Sequence, residues 1–256
     1  MIRIKTPEQI ARMRRSNRLA RRILLTLGEH VAPGVSTKEL DLLARKLVTE
    51  AGGRPSFLGY RGFPAAICAS VNEVVVHGIP NDQKLREGDI LSVDFGAFLD
   101  GFHGDTAATF PVGKINSQAQ HLLKVTYSAL WRGIEAAVVG NRIGDISHAI
   151  QSYVESQGCG VVRKLVGHGV GREMHEDPQV PNFGRPRTGP RLRPGMTLAI
   201  EPMITAGSYR VKVLPDGWTV VTADGSLAAH FEHTVVVLSD GPEVLSLPDW
   251  FPRWLE

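Results

Sequence analysis

Apolar positions along the chain follow two periods, and the order of these periods occurs twice. Residues 7–27 and about 37–51 repeat apolar side chains every three or four positions, which is typical of amphipathic helices. Strand-like patterns then dominate to Phe110. Helical spacing returns at about 117–137 and again from Asp145, and strand patterns follow it. This alternation predicts an α+β chain in which two helices precede a set of strands, twice over.

Short segments that recur at a nearly constant offset favour an internal duplication. The segment "LREGDILSVD" (85–94) aligns without gaps with "LRPGMTLAIE" (192–201), an offset of 107, and "GVSTKEL" matches "RIGDI" at an offset of 108. The same order relates His77 to His168. We therefore predict one domain over residues 1–256 with pseudo-two-fold symmetry, made of related halves at about 1–112 and 113–250. In such a fold Asp94 and Glu201, at matching strand ends, face each other across the axis.

Four carboxylates have reason to converge. In "LSVDFGAFLDGFHGDTAATF" a turn near residues 99–101 joins two strands, so Asp94 and Asp105 can share one face of a hairpin. In "LAAHFEHTVVVL" the alternation places Glu232 on one face with His230. Each like-charged pair at about 4 Å costs on the order of 4 kcal/mol at an effective dielectric near 20. Two divalent cations would offset four such charges, with Glu201 as the fourth carboxylate.

Histidines give the expected cations a chemical identity. His168 lies between two glycines, which let the backbone approach closely, and its nitrogen favours transition metals over calcium or magnesium. His103 shares the face of Asp105 and is a competing ligand. His233 follows Glu232 directly, so it should point away from the cluster and support it from behind or pack in the core.

Charge and composition limit the partners and the compartment. Residues 1–22 contain eight lysines and arginines against Glu8 alone, so this segment carries +7 and the remainder −4 of the net +3. The first helix therefore has a basic outer face, which is either solvated or a contact for an acidic partner such as ribosomal RNA. Two cysteines and the absence of a long apolar run or a leader pattern predict a cytoplasmic protein without disulfides. We expect no membrane or DNA partner.

The motifs resemble those of the type I methionine aminopeptidases. The resemblance rests on "IKTPEQIARMR", "CASVNEVVVHGIP", "SVDFGAFLDGFHGDTAATF", "GHGVGREMHEDPQVPNFG", "AIEPM", "DGWTVVTADGS" and "HFEHTVVV", in matching order over most of the chain. It implies the pita-bread fold, a curved antiparallel sheet with two pairs of helices on its outer face. It also implies a hydrolase that removes initiator methionine from nascent polypeptides when the second residue is small. The implied cofactor is a pair of divalent ions, Co, Mn, Fe or Zn, held by Asp94, Asp105, His168, Glu201 and Glu232, with Asp105 and Glu232 bridging.

The same resemblance assigns roles around these ions. Glu201 is the implied proton shuttle, and His77 and His175 are the implied imidazoles that contact the substrate amide. The side-chain pocket is implied to be lined by Phe57, Tyr60, Phe63, Cys68, His77, Met174, His175 and Trp218.

Three residues depart from the commonest bacterial pattern of this family. Phe57 stands where cysteine is frequent, Met174 where an aromatic residue is usual, and His230 where glutamine often occurs. These departures affect the expected pocket shape and rate and leave the metal ligands intact. Two alternatives stay open at this point: an X-Pro aminopeptidase, and a non-catalytic ribosome- or RNA-binding module of the same fold.

Overall fold

The computed structural model describes residues 1–246 of the chain. Within them the helices are α1 Pro7–Glu29, α2 Thr37–Glu50, α3 Ser117–Glu135 and α4 Ile143–Ser156. A capping box begins α1: the Thr6 side chain accepts a hydrogen bond from the Gln9 amide, and the Gln9 side chain accepts one from the Thr6 backbone. Ser36 and Glu39 form another capping box at the start of α2. The four predicted helices are therefore present close to their predicted bounds.

The strands form one large sheet and two small ones, and every pairing is antiparallel. The large sheet runs in the order β1-β4-β5-β14-β9-β7-β8, with β2 also paired to β4 and β15 to β14. The small sheets are β13-β10-β6 and β11-β12-β3. The strand bounds are β1 Arg54–Pro55, β2 Ile67–Val71, β3 Val74–Val76, β4 Ile90–Leu99, β5 Phe102–Pro111, β6 Gly160–Val161, β7 Gly167–Gly169, β8 Glu176–Val180, β9 Thr197–Ile200, β10 Met203–Thr205, β11 Val211–Val213, β12 Val220–Thr222, β13 Ala228–His230, β14 Glu232–Leu238 and β15 Gly241–Val244.

The hairpin of β4 and β5 turns where the sequence predicts. Asp100 and Gly101 both have positive φ, 54° and 83°, which is the conformation of a two-residue type I′ turn. Alternate residues of β4, among them Val93 and Phe95, are fully buried in the core that the sheet shares with the four helices. The opposite face of the same hairpin carries Asp94.

The segments around α2 and β4 resemble those around α4 and β9 in local detail. Strands β4 and β9 begin at Ile90 and Thr197, which reproduces the offset of 107. A backbone bridge joins Ser36 to Lys84, and its counterpart joins Arg142 to Arg191. Because the capping positions themselves correspond, α2 and α4 align at an offset of 106 rather than the 108 read from the motifs.

The basic face of α1 is only partly free. Arg21 is buried at 4 % exposure, Arg14 forms a bidentate pair with Glu243 at 2.6 Å, and Arg15 contacts Asp100 at 2.6 Å. Outside these contacts, α1 presents three exposed arginines, which are Arg12, Arg18 and Arg22. Much of the predicted N-terminal charge therefore neutralises acidic groups of the chain itself.

Neither cysteine forms a disulfide: Cys68 and Cys159 are both buried free thiols. Among the described residues, no helix combines the length and apolar character that crossing a membrane requires.

Candidate metal centre and substrate pocket

Three neighbouring strands bring together the acidic residues of the large sheet. Asp94 on β4 pairs across to Ala107 on β5, and Ala107 pairs across to Glu232 on β14. Asp105 lies two residues before Ala107, so its side chain projects from the same face. The small side chain of Ala107 leaves room between Asp94 and Glu232. The strand register thus places Asp94 and Asp105 on the same face of the sheet, as the sequence predicts.

The second half contributes a histidine and a fourth carboxylate. His168 on β7 pairs with Ala199 on β9, and Glu201 follows Ala199 by two positions. The Nε2 atom of His168 lies 3.5 Å from Glu201 Oε1 and 3.7 Å from Asp105 Oδ2. Its Nδ1 is 2.8 Å from the carbonyl oxygen of Gly169, which makes Nδ1 the protonated donor and leaves a lone pair on Nε2 facing the carboxylates.

The donor atoms form a compact set. One ligand atom each from Asp105, His168 and Glu232 lie within 4.8 Å of one another, and all three side chains are buried. Oδ1 of Asp94, Oδ1 of Asp105 and Oε1 of Glu232 are buried without a hydrogen-bond partner among the described residues. Such buried acceptors are costly unless a cation compensates them. The mixed oxygen and nitrogen donors fit divalent transition-metal ions.

Burial and mutual repulsion favour the neutral form of these carboxyls when no cation is bound. Desolvation raises the pKa of Asp94 to about 7; the attraction of His230 opposes this rise, and repulsion from Glu201 adds a smaller increase. Desolvation also raises the pKa of Glu201 to about 7. For Asp105 and Glu232, desolvation and then the neighbouring carboxylates raise the pKa well above its ordinary value. Ionising all four groups therefore requires compensating positive charge.

A cavity of about 270 Å³ opens directly onto this cluster. Its apolar wall includes the small buried cluster of Phe57, Phe63 and Met174, against which Trp218 packs. The Phe63 and Trp218 rings meet edge to face at 5.2 Å. The structure brings every predicted pocket and ligand residue to this cavity: Phe57, Tyr60, Phe63, Cys68, His77, Asp94, Asp105, His168, Met174, His175, Glu201, Trp218 and Glu232.

Two further imidazoles face the cavity in neutral form. Desolvation, followed by electrostatic repulsion from His230, lowers the pKa of His77 to about 4. Desolvation and then electrostatic repulsion from neighbouring basic side chains, His168 foremost, lower the pKa of His175 to about 3. His77 has a φ of 59°, a left-handed conformation that is rare for a residue with a side chain and that marks functional sites. The Tyr60 hydroxyl lies 2.9 Å from Nδ1 of His175 and orients that ring.

The cavity also includes His230, which the sequence places on one face with Glu232 and for which it predicts an effect on pocket shape. Six further lining residues were not predicted: Arg61, Val76, Lys164, Leu165, Val166 and Met203. These six lie in segments whose position depends on tertiary packing. The competing ligand His103 hydrogen-bonds through Nδ1 to Ser56 Oγ at 2.8 Å. The Nδ1 atom of His233 contacts Ser246 Oγ at 2.9 Å, in the buried position predicted for it.

Comparison with known proteins places the chain in a family. The sequence profile of "Metallopeptidase family M24" matches residues 11–239. A methionine aminopeptidase of Clostridium perfringens is 53 % identical over 247 residues, which cover 96 % of this chain and 99 % of the relative. Methionine aminopeptidase 1 of Bacillus subtilis is 52 % identical over 246 residues, with coverage of 96 % and 99 %.

Solved structures agree with the sequence comparison. The methionine aminopeptidase of Thermotoga maritima superposes with a TM-score of 0.95 at 47 % identity, covering 97 % of this chain and all of that one. The predicted pita-bread architecture, with its antiparallel sheet and four helices, is confirmed by this similarity and by the topology described above. The chain therefore belongs to metallopeptidase family M24.

Proposed function

We propose that this chain is a methionyl aminopeptidase that hydrolyses the N-terminal methionine from peptides and nascent polypeptides and prefers a small second residue. The observation that carries the proposal is the apolar cavity that opens directly onto the cluster of four carboxylates and His168. An unbranched thioether suits a pocket walled by Phe57, Phe63 and Met174. The high identity to relatives named methionine aminopeptidase supports the same substrate.

Asp94, Asp105, His168, Glu201 and Glu232 would hold two divalent ions. When bound, such ions polarise a carbonyl oxygen and make hydroxide available at neutral pH. Two observations support metal binding by these residues. Asp94, Asp105 and Glu232 have buried oxygens without a hydrogen-bond partner among the described residues, and His168 presents a lone pair on Nε2. Co, Mn, Fe and Zn all suit this donor set.

The remaining polar groups would handle protons and the substrate amide. Glu201 borders the cavity with a pKa raised to about 7, which suits a group that accepts and returns a proton near neutral pH. The neutral rings of His77 and His175 would donate hydrogen bonds to the substrate and to the oxygen that gains charge. If the Tyr60 hydroxyl donates to Nδ1 of His175, the proton of that ring lies on Nε2, where it can be donated.

At the level of the whole chain, we infer one catalytic domain over residues 1–256 built from halves at about 1–112 and 113–250. Positions 247–250 of the second half lie outside the described residues.

The exposed arginines Arg12, Arg18 and Arg22 of α1 would provide the contact to ribosomal RNA. We infer a cytoplasmic location, because the proposed substrates of the protein are nascent polypeptides. Salt-dependent binding to ribosomes, weakened when these three arginines become glutamine, tests the contact.

The alternatives are less well supported. A non-catalytic module of this fold has no need to keep five potential ligands around one buried cluster, as this chain does. No feature of the described cavity favours proline as the second residue of the substrate.

One assay tests the activity and separates it from both alternatives. The purified protein is stripped of metal, reloaded with Co, Mn, Fe or Zn in turn, and given Met-Ala-Ser, a methionyl peptide with a bulky second residue, and an X-Pro peptide. We expect methionine release from the first peptide alone. Asp94→Ala should lose metal binding and activity together and keep its fold. Absence of methionine release with every metal, or full activity of Asp94→Ala, would contradict the proposal.

A further inference from the structure

His230 is a buried imidazole of the catalytic cavity to which the proposed mechanism gives no role. It ends β13, is 1 % exposed, and lines the cavity. Its Nε2 atom is buried without a hydrogen-bond partner among the described residues and lies 3.6 Å from Oε2 of Glu201. Leaving a buried polar atom unpaired is costly. Among the described residues, Glu201 supplies the only carboxylate oxygen within 4 Å of that nitrogen.

The backbone of His230 is fixed on the sheet. Its N–H donates to Oγ1 of Thr109 at 2.9 Å, and its carbonyl oxygen accepts from the same hydroxyl at 2.9 Å. The Thr109 hydroxyl in turn lies 2.8 Å from Oγ of Ser92. These contacts hold the imidazole against the carboxylate, because the main chain from which it projects cannot withdraw without breaking them.

The two oxygens of Glu201 have different neighbours. Oε1 lies 3.5 Å from Nε2 of His168, and that nitrogen presents a lone pair because Nδ1 is bonded to the Gly169 carbonyl. A lone pair and a carboxylate oxygen repel each other unless a cation lies between them. Oε1 is therefore the oxygen suited to a metal ion, and Oε2 is the oxygen suited to a hydrogen-bond donor.

We propose that His230 is a positioning residue that donates a hydrogen bond from Nε2–H to Oε2 of Glu201 and so keeps Oε1 directed at the metal site. A movement of about 0.7 Å converts the 3.6 Å contact into a hydrogen bond of ordinary length. Contacts of this kind are often long before a site is loaded and shorten in the working complex. The predicted effect of His230 on turnover rests on the proposed function. Its predicted effect on the Glu201 carboxylate does not depend on the substrate.

Variants of His230 separate a hydrogen bond from simple packing. His230→Leu removes the donor at similar volume, whereas His230→Gln restores an amide donor. The matched control is His233→Leu, which removes another buried imidazole of the same segment whose Nδ1 contacts Ser246, away from the cavity. Thermal unfolding of each metal-loaded variant establishes which of them are folded.

The expected pattern is specific. His230→Leu should lower kcat on Met-Ala-Ser about 10- to 100-fold with KM within about threefold, and should weaken Co²⁺ binding about tenfold, as for other groups that orient metal ligands. The absorption spectrum of bound Co²⁺ should change in the same variant. His230→Gln should return kcat, Co²⁺ affinity and spectrum close to those of the wild type. His233→Leu should lower the unfolding temperature and leave kcat unchanged.

Three results would overturn the inference: wild-type kcat and Co²⁺ affinity in His230→Leu, equal losses in the Leu and Gln variants, or loss of kcat in the control as well. A measurement on the wild type covers the case in which His230→Leu does not fold. In the Zn²⁺-loaded protein, ¹⁵N spectra of the histidine rings, assigned by the signal missing from His230→Gln, should show the proton of His230 on Nε2; a proton on Nδ1 refutes the inference. If the wild type fails to cleave Met-Ala-Ser, the proposed function fails, while the Co²⁺ and ¹⁵N measurements still decide the role of His230.

Discussion

Removal of the metal ions should make the folded chain less stable as the pH rises. In the metal-free protein, burial and the neighbouring carboxylates raise the pKa of Asp105 and Glu232 well above the value of about 4 that an unfolded chain gives. Between these two values the folded state holds a proton at each site that the unfolded state has lost. Each such proton lowers the free energy of unfolding by about 1.4 kcal/mol per pH unit.

The choice of pH window matters because the buried imidazoles act in the opposite direction. The pKa values of His77 and His103 are lowered to about 4 and that of His175 to about 3, chiefly by burial. Their unfolded value is about 6.5, so they make stability rise with pH from about 4 to 6.5 and contribute nothing above it. Between pH 6.5 and 8 the carboxyls act alone. There we expect the stripped protein to lose up to about 1.4 kcal/mol per pH unit for each carboxyl that keeps its proton in the folded state.

Urea unfolding in the presence of a chelator, followed by circular dichroism at several values between pH 6.5 and 8, measures this slope. The matched variant is Asp105→Asn, which stays neutral at every pH. Its slope should be shallower by about 1.4 kcal/mol per pH unit, and at pH 8 it should be more stable than the stripped wild type although it has lost a metal ligand. A stripped wild type whose stability is flat or rising over this window, or an Asp105→Asn variant with the same slope, would refute the reasoning.

Three further predictions follow from the pocket and the packing. Met174→Ala removes most of a fully buried side chain from the pocket wall, so kcat/KM for Met-Ala peptides should fall about tenfold and discrimination against phenylalanine at the first position should narrow in a competition assay; unchanged discrimination would contradict the assigned wall. Lys164 is exposed at the cavity and forms no ion pair within residues 1–246, so Lys164→Glu should shift the ratio of rates on Met-Ala-Asp and Met-Ala-Lys peptides several-fold toward lysine, an effect that 1 M salt should abolish. Gly104→Ala would place a methyl carbon 2.5 Å from the backbone nitrogen of Asn17 in α1, so it should cost about 2–4 kcal/mol in urea unfolding, and a neutral effect would mean that α1 can shift freely.

The sequence predicts best what is determined locally. The helix bounds and the turn near residues 99–101 depend on residues within a few positions, and the structure has each of them close to the predicted place. The strand alternation then determines which face Asp94 takes. These local rules place Asp94 and Asp105 on one face, because alternate residues of a strand share a surface of the sheet.

Contacts between distant segments could not be predicted in the same way. The sequence predicts that the N-terminal arginines form the basic outer face of α1. In the structure, however, Arg21 is buried and Arg14 pairs with Glu243, 229 positions away. Similarly, Lys164 and Met203 reach the cavity only because loops and small sheets close around it. Periodicity within a segment carries no information on which distant segment will supply its partner, and so the charge pairing and the far wall of the pocket required the structure.

The position of the site in the sheet explains why metal binding and stability should be linked. Strands β5 and β14, far apart in the sequence, pair through two residue pairs, Ala107 with Glu232 and Thr106 with His233. The hydroxyl of Thr106 donates to the Glu232 carbonyl oxygen. Asp105 and Glu232 thus lie on opposite sides of the short pairing between β5 and β14. Without a cation the folded state must keep protons on these groups to avoid their repulsion, whereas a cation held there would take the place of those protons. This is why Asp105→Asn should stabilise the stripped protein as the pH rises.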